Sequence, residues 1–199
     1  MSKPSARIGK RYVNILVIGL DGCGKTTLIT QMKSLPKDSK VDIIPTAGYE
    51  IHEVPLAKKN NIVLNMVDCS GQGRFRDAWC YFYSYVNAIL YVIDSSDKTR
   101  LSVVKENIEE VLEHPSLMEH SIPIMFLANK IDLTDAIKED RLKGLLHFEK
   151  MINDPKSHNK KMIFKGISSK HETCSSDLQD LIENNVDWNY IPRRPLDDQ

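Results

Sequence analysis

Residues 12–27 read YVNILVIGLDGCGKTT, and the reading of the fold turns on the change of character at Gly19. Val13 to Ile18 is a short apolar, β-branched run, the composition of a strand covered on both faces. Behind it stand Gly19, four residues, then Gly24, Lys25 and Thr26, the spacing GxxxxGK[ST] set between a strand and a helix-forming segment. That spacing has a mechanical reason. Glycines let the backbone curl, so that the N–H groups of Asp21, Gly22, Cys23, Gly24, Lys25, Thr26 and Thr27 can converge on phosphate oxygens at the positive end of a helix. Lys25 adds a mobile charge, and the Thr26 hydroxyl is available to a magnesium ion. Cys23 leaves two readings open: a thiol activated by the helix end and Lys25, or a filler of a small-residue position, which suits the loop better.

Working outward, further strand-like runs occur at Tyr49 to Val54, Ile62 to Val67, Ala88 to Asp94, Ile122 to Ala128 and Met162 to Ile167. Helical patterns lie between most of them: Leu101, Val104, Ile108, Val111 and Leu112 repeat at helical spacing, as do Leu178, Leu181 and Ile182. Ser176, three residues before Gln179, is placed as a capping box for the last helix. This alternation predicts an α/β fold, a six-stranded, mostly parallel sheet with helices on both faces. The polar segment Leu56 to Asn61 is short enough for a hairpin, which makes the second strand an antiparallel edge. Ligands of such sheets bind at the carboxyl ends of the strands.

Composition narrows the function. The 199 residues suit one domain, and 27 Lys and Arg balance 27 Asp and Glu, so no global field draws the chain to nucleic acid. No apolar run approaches a membrane span, and residues 1–11 lack the apolar core of a secretory signal, which gives a cytoplasmic reading. Cys23, Cys69, Cys80 and Cys174 form no CxxC pair, and the six histidines show no HExxH, so disulfide and zinc chemistry are poor readings.

A phosphate loop alone leaves ATPases, kinases and GTPases open. The segment LANKIDL narrows the choice, because Asn129, Lys130 and Asp132 fit NKxD, in which a carboxylate accepts the guanine N1–H and 2-amino donors that adenine does not present. ISSK, at 167–170, adds Ser168 and Ser169; the Ser169 amide is the expected donor to the guanine carbonyl, although a solvated turn reads nearly as well. PTAGYE puts Thr46 before the second strand, and VDCSGQG puts Asp68, Gly71 and Gln72 after the third. In a nucleotide site Thr46 can complete magnesium coordination, Asp68 can hold the ion through water, the Gly71 N–H can meet the third phosphate, and Gln72 can orient the attacking water. A kinase would need an acceptor-binding domain or lid, which the sequence lacks.

With these segments in order, the chain resembles the ADP-ribosylation factor family of small GTPases. GLDGCGKTT is similar to the family's GLDxxGKTT, PTAGYE to its PTxGF, and VDCSGQG to its aspartate-x-glycine-glycine-glutamine turn. The resemblance implies a P-loop NTPase small G domain over residues 12–190, between a basic arm at 1–11 and a tail at 191–199. It implies GTP/GDP and Mg2+ as ligands, with Gln72, Lys25 and Gly71 as the catalytic group. The implied protein is a monomer whose loops at Thr46 and Gln72, and the hairpin between them, rearrange together. An exchange factor, an activating protein and an effector or coat complex are its implied partners. SGQGRFRDAW, YVIDSSDKTRL and EHPSL most resemble the ciliary members linked to the Bardet–Biedl coat, which implies reversible recruitment to membranes and a place in ciliary trafficking. No arginine finger is identifiable at the site, so the activating protein is expected to supply one.

Two departures stand out. Ser2 occupies the place of the family's myristoylated glycine, so either the chain is truncated or its membrane attachment differs. A basic insertion of about eight residues within 150–165 precedes the last strand, and reads as a solvated loop more readily than as a partner or lipid contact. Two function classes remain: an enzyme hydrolysing GTP, and a GTP-gated binding module with negligible hydrolysis of its own.

Overall fold

The computed structural model describes residues 9–33, 46–59, 61–118, 121–154, 160–171 and 173–192. Most of the basic arm, the middle of the insertion at 155–159 and the tail from 193 lie outside the described residues. Six strands form one sheet: β1 (Arg11–Ile18), β2 (Tyr49–Pro55), β3 (Ile62–Cys69), β4 (Ala88–Asp94), β5 (Ile124–Asn129) and β6 (Met162–Gly166). Their order is β2-β3-β1-β4-β5-β6. Every neighbouring pair is parallel except β2 with β3, so the sheet has the one antiparallel edge that the hairpin spacing predicts.

Period-two alternation divides the core. Leu16 and Ile18 of β1 face one way, packing with Tyr91 and Phe126 against Val104, Ile108 and Leu112 of α3 (Leu101–Glu113). On the other face Val13, Ile15 and Val17 pack with Leu90 and Leu127 against Leu28, Ile29 and Met32 of α1 (Lys25–Met32) and Leu178 and Ile182 of α7 (Cys174–Asn185). Burial on both faces is why these strands read as continuous apolar runs. Four short helices complete the numbering: α2 (Gly73–Arg76), α4 (Pro115–Met118), α5 (Glu139–Leu145) and α6 (Phe148–Ile152). A 3-10 helix over Asp77–Tyr85 follows α2 and brings Trp79, Phe82 and Tyr83 into the α3 side of the core.

A buried amide cluster crosses the sheet below the site. The Asn14 Oδ1 accepts from Asn65 Nδ2 at 3.0 Å, and the Asn14 backbone N–H donates to Asn87 Oδ1 at 2.9 Å. Asn14 Nδ2 reaches the Tyr85 carbonyl, and Asn87 Nδ2 the Tyr190 carbonyl, both at 3.0 Å. Asn14 and Asn65 are directly opposite in the β1–β3 ladder.

The capping box expected at Ser176 is not formed. The helix begins at Cys174 after Thr173, and Ser176 Oγ donates back to the Thr173 carbonyl at 2.9 Å. Gln179 instead accepts the Ala57 N–H at 3.0 Å, and Asp180 pairs with Lys58 at 2.6 Å. Side chains of α7 are committed to the β2–β3 hairpin, a tertiary demand that local capping patterns do not register.

Candidate functional site

The five parallel strands all end on one edge of the sheet, and β2 begins there, with Tyr49 opposite Cys69. The loops that follow β1, β3, β4, β5 and β6, and Thr46 before β2, therefore meet on that edge. One cleft is lined by Asp21, Gly22, Gly24, Lys25, Thr26, Thr27, Thr46, Ser70, Gly71 and Gln72.

The phosphate loop has the expected curl. Gly24 ends it at φ 98, a left-handed conformation, and a Cβ there would collide with the Asn129 amide. Lys25 is buried, with its Nζ donating to the Gly19 and Leu20 carbonyls at 2.9 and 3.0 Å and lying 3.8 Å from Cys23 Sγ. These are neutral partners, so an anion in the cradle would supply what a buried ammonium lacks. Cys23 is itself buried, and burial pushes its thiol up, with Lys25 opposing only in part. The activated-thiol reading falls, and the small-residue reading stands.

Across the cleft Thr26 Oγ1 donates to Asp68 Oδ2 at 2.6 Å, and Thr46 Oγ1 lies 3.4 Å from both. Asp68 is fully buried, and its Oδ1 has no hydrogen-bond partner. Burial raises its carboxyl above the ordinary value, more than the Thr26 bond and nearby Lys25 lower it. Two hydroxyls beside a buried, half-satisfied carboxylate are a hard-oxygen donor set, and they fit a magnesium ion.

The loop after β3 is held from behind. The Trp79 indole donates to the Ser70 carbonyl at 2.9 Å, and Arg76 Nε to the Gly71 carbonyl at 3.1 Å. Gly71 sits hard against Leu20 and Asp21, leaving no room for a Cβ. Gln72 follows in extended conformation at the start of α2.

Asn129 joins the base loop to the phosphate loop. Its Nδ2 donates to the Cys23 carbonyl at 2.8 Å and approaches Ser169 Oγ at 3.3 Å, while its Oδ1 accepts the Ser169 N–H at 2.9 Å. The Ser169 amide, expected to face a base carbonyl, bonds Asn129 in this structure and so braces the loop after β6 against the NKxD loop. Lys130 adopts φ 66, left-handed for a non-glycine residue, with its Nζ 2.5 Å from Asp94 Oδ2. Asp132 is exposed, and a hydrogen bond from Ser168, with Lys170 and His171 nearby, holds its carboxyl below the ordinary value.

Three participants escaped the motif reading: Asp94, Arg76 and Arg100. Asp94 ends β4 and could have been read as a strand-terminal carboxylate. Arg100 bonds both the side chain and the carbonyl of Asp21 at 3.0 Å, a contact across 79 residues that no local pattern signals. The site does have arginines at its rim, but Arg76 and Arg100 are both already bonded to the protein.

With this geometry in place, comparison adds ancestry. Residues 3–185 match the ADP-ribosylation factor family. The chain belongs to that family. This family member is 41% identical to ADP-ribosylation factor-like protein 6 of Danio rerio over 147 residues, 73% of this chain and 76% of that protein. It is 32% identical to ADP-ribosylation factor K of Dictyostelium discoideum over 180 residues, 90% of this chain and 85% of that one. Among solved structures, the Arl6 BBS3 small GTPase from Trypanosoma brucei, with bound nucleotide analogue GppNp, superposes with a TM-score of 0.71. That pair is 26% identical, over 88% of this chain and 99% of the other. As an ADP-ribosylation factor family protein, the chain is a small GTPase, a GTP hydrolase of a family that binds GTP and GDP and works with exchange factors, activating proteins and effectors. Among the described residues no helix is long and apolar enough to cross a membrane.

Proposed function

We propose that this GTPase is a magnesium-dependent switch whose GTP form recruits an effector or coat complex, of the Bardet–Biedl type, to membranes in ciliary trafficking. Residues 12–190 form the working domain in this reading, flanked by the arm at 1–11 and the tail at 191–199. The observation that carries the nucleotide part is the Asn129 bridge, which ties the NKxD loop to the phosphate loop at the Cys23 carbonyl and to the loop after β6 at Ser169. Similarity to ADP-ribosylation factor-like protein 6 supports the ciliary assignment.

Each residue then has a task. Asp132 accepts the two guanine donors, Lys130 and Asn129 hold the loop that presents it, and Ser168 orients its carboxylate. The loop from Asp21 to Thr27 wraps the phosphates, with Lys25 turning from the Gly19 and Leu20 carbonyls to phosphate oxygens. Thr26 and Thr46 would hold magnesium directly and Asp68 through water; the ion, when bound, neutralises phosphate charge. Gly71 offers its N–H to the terminal phosphate, and Gln72 aligns the attacking water. Arg76 and Arg100 are occupied, so a further positive charge is left for the activating protein to bring.

Extraction of nucleotide from the purified protein, followed by chromatography, tests base and phosphate number together; adenine nucleotide, or none under saturating guanine nucleotide, refutes the reading. Liposome flotation with and without a coat subcomplex tests recruitment, and tight, salt-resistant binding of this chain alone would exclude a partner-dependent mechanism.

A further inference from the structure

Arg100, at the start of α3, is fixed at one end and fixes something else at the other. Asp97 holds it, accepting from Arg100 Nε at 2.5 Å through Oδ2 and from its backbone N–H at 3.2 Å through Oδ1. Thr99 Oγ1 donates to the same Asp97 Oδ1 at 2.8 Å, so the carboxylate is itself oriented. From this anchor the guanidinium grips Asp21 twice, Nη1 on Oδ1 and Nη2 on the main-chain carbonyl, both at 3.0 Å. A planar fork can take a side chain and a carbonyl of one residue together; an ammonium cannot match that geometry.

Asp21 is an awkward residue for its place. It lines the cleft with Thr46, Gly71 and Gln72, and its backbone nitrogen lies against Gly71. That is the end of the cleft assigned above to the third phosphate, where a loose carboxylate would meet like charge. We propose that Arg100 is a positioning residue for the nucleotide site, holding the Asp21 carboxylate toward α3 and offsetting its charge, so that the triphosphate is tolerated as well as the diphosphate. The inference rests on the phosphate-binding reading of the cleft and adds to it a determinant of GTP over GDP that lies outside the motifs. A brace that only stiffened the loop would weaken both nucleotides alike. Charge control acts on the one with more charge nearby.

The test is a cycle of Arg100→Gln, Asp21→Asn and the double variant, with Arg100→Lys as a milder fourth. Fluorescent GTP and GDP analogues are titrated into full-length protein with magnesium. Arg100→Gln is expected to lower the GTP-to-GDP affinity ratio by about threefold, the scale of an exposed ion pair, and by less at high salt. Arg100→Lys should fall between, keeping charge and losing the fork. In the Asp21→Asn background, replacing Arg100 should leave the ratio unchanged. A ratio that Arg100→Gln does not alter, or a drop that persists in the Asp21→Asn background, overturns the inference while leaving the GTPase reading intact. Failure of the wild-type protein to bind either nucleotide overturns both.

Discussion

Replacing Gly71 with alanine is the smallest perturbation that loads the junction between the two phosphate-facing loops. A Cβ built on Gly71 lies 2.5 Å from the Gly19 carbonyl oxygen, and closer still to Asp21 N and Leu20 C, whereas ordinary contact begins at 3.4 Å. All three neighbours are backbone, so no side-chain rotation relieves the overlap, and one loop must withdraw by about 1 Å. The loop after β3 is pinned by Trp79 and Arg76, and the phosphate loop by Asn129 and Arg100. The displacement therefore has to break or stretch one of these bonds, and overpacking of this kind costs about 1–3 kcal/mol. Hydrolysis should suffer more than folding, because a misplacement of about 1 Å between reacting groups can cost about 100-fold. Single-turnover phosphate release and urea unfolding, measured on the same preparations, separate the two effects. If Gly71→Ala keeps the wild-type rate and midpoint, the close approach of Gly71 to Leu20 and Asp21 is not a feature of the working site.

Asp132→Asn should shift preference from guanine toward xanthine nucleotides, with a loss for GDP on the order of 2–4 kcal/mol, read by parallel titrations with GDP and XDP; unchanged selectivity would remove the base loop from the account. Gln72→Leu should keep GTP affinity while slowing hydrolysis on the order of 100-fold, most visibly with an activating protein present, and equal phosphate-release rates would reassign the role of Gln72. Asp94 gives a pH signature. Burial alone would raise its carboxyl, but hydrogen bonds from Lys130 and Ser96 outweigh this and hold it below the usual value near 3.8. A depressed folded value means that its stabilisation is present above pH 3.8 and is lost as pH falls through the lower folded value. Acid unfolding of Asp94→Asn should accordingly be less steep below pH 4 than that of wild type, as followed by circular dichroism.

How much of this was legible in the sequence depended on whether the cause was local. The strands β1, β3, β4 and β5 stood out because both faces are covered, so their apolar runs are continuous, and GLDGCGKTT and NKID stood out because backbone curl and base pairing demand particular residues at fixed spacing. The 3-10 helix at Asp77–Tyr85 carried no helical period, since its aromatics serve packing and, at Trp79, the Ser70 carbonyl. Ser176 and Gln179 matched a capping pattern, but Ser176 bonds back to the Thr173 carbonyl and Gln179 is claimed by the Ala57 N–H across the fold. Ser169 was placed in the loop that the structure brings to the site, but its bond to Asn129 was not foreseen, because only the fold sets these two, 40 residues apart in sequence, side by side. Arg100 was invisible because its reason for being there lies at Asp21, on another strand's loop.

The amide pair of Asn14 and Asn65 gives the sheet a notch. Their bond exists in one alignment of β3 along β1, and a shift of two residues would set Asn14 opposite Val63 or Val67, with no acceptor or donor to offer. Side chains alternate faces, so a shift of one would turn Asn65 to the opposite face of the sheet from Asn14. Leaving a buried amide unmatched costs about 1–3 kcal/mol. The β2–β3 hairpin, which carries Thr46 and Asp68 side by side at its open end, is thereby held to one register along β1. A ligand that bridges Thr46 and Asp68 would therefore favour the one alignment in which Asn14 meets Asn65, tying the nucleotide edge of the sheet to a latch lower down the same strands.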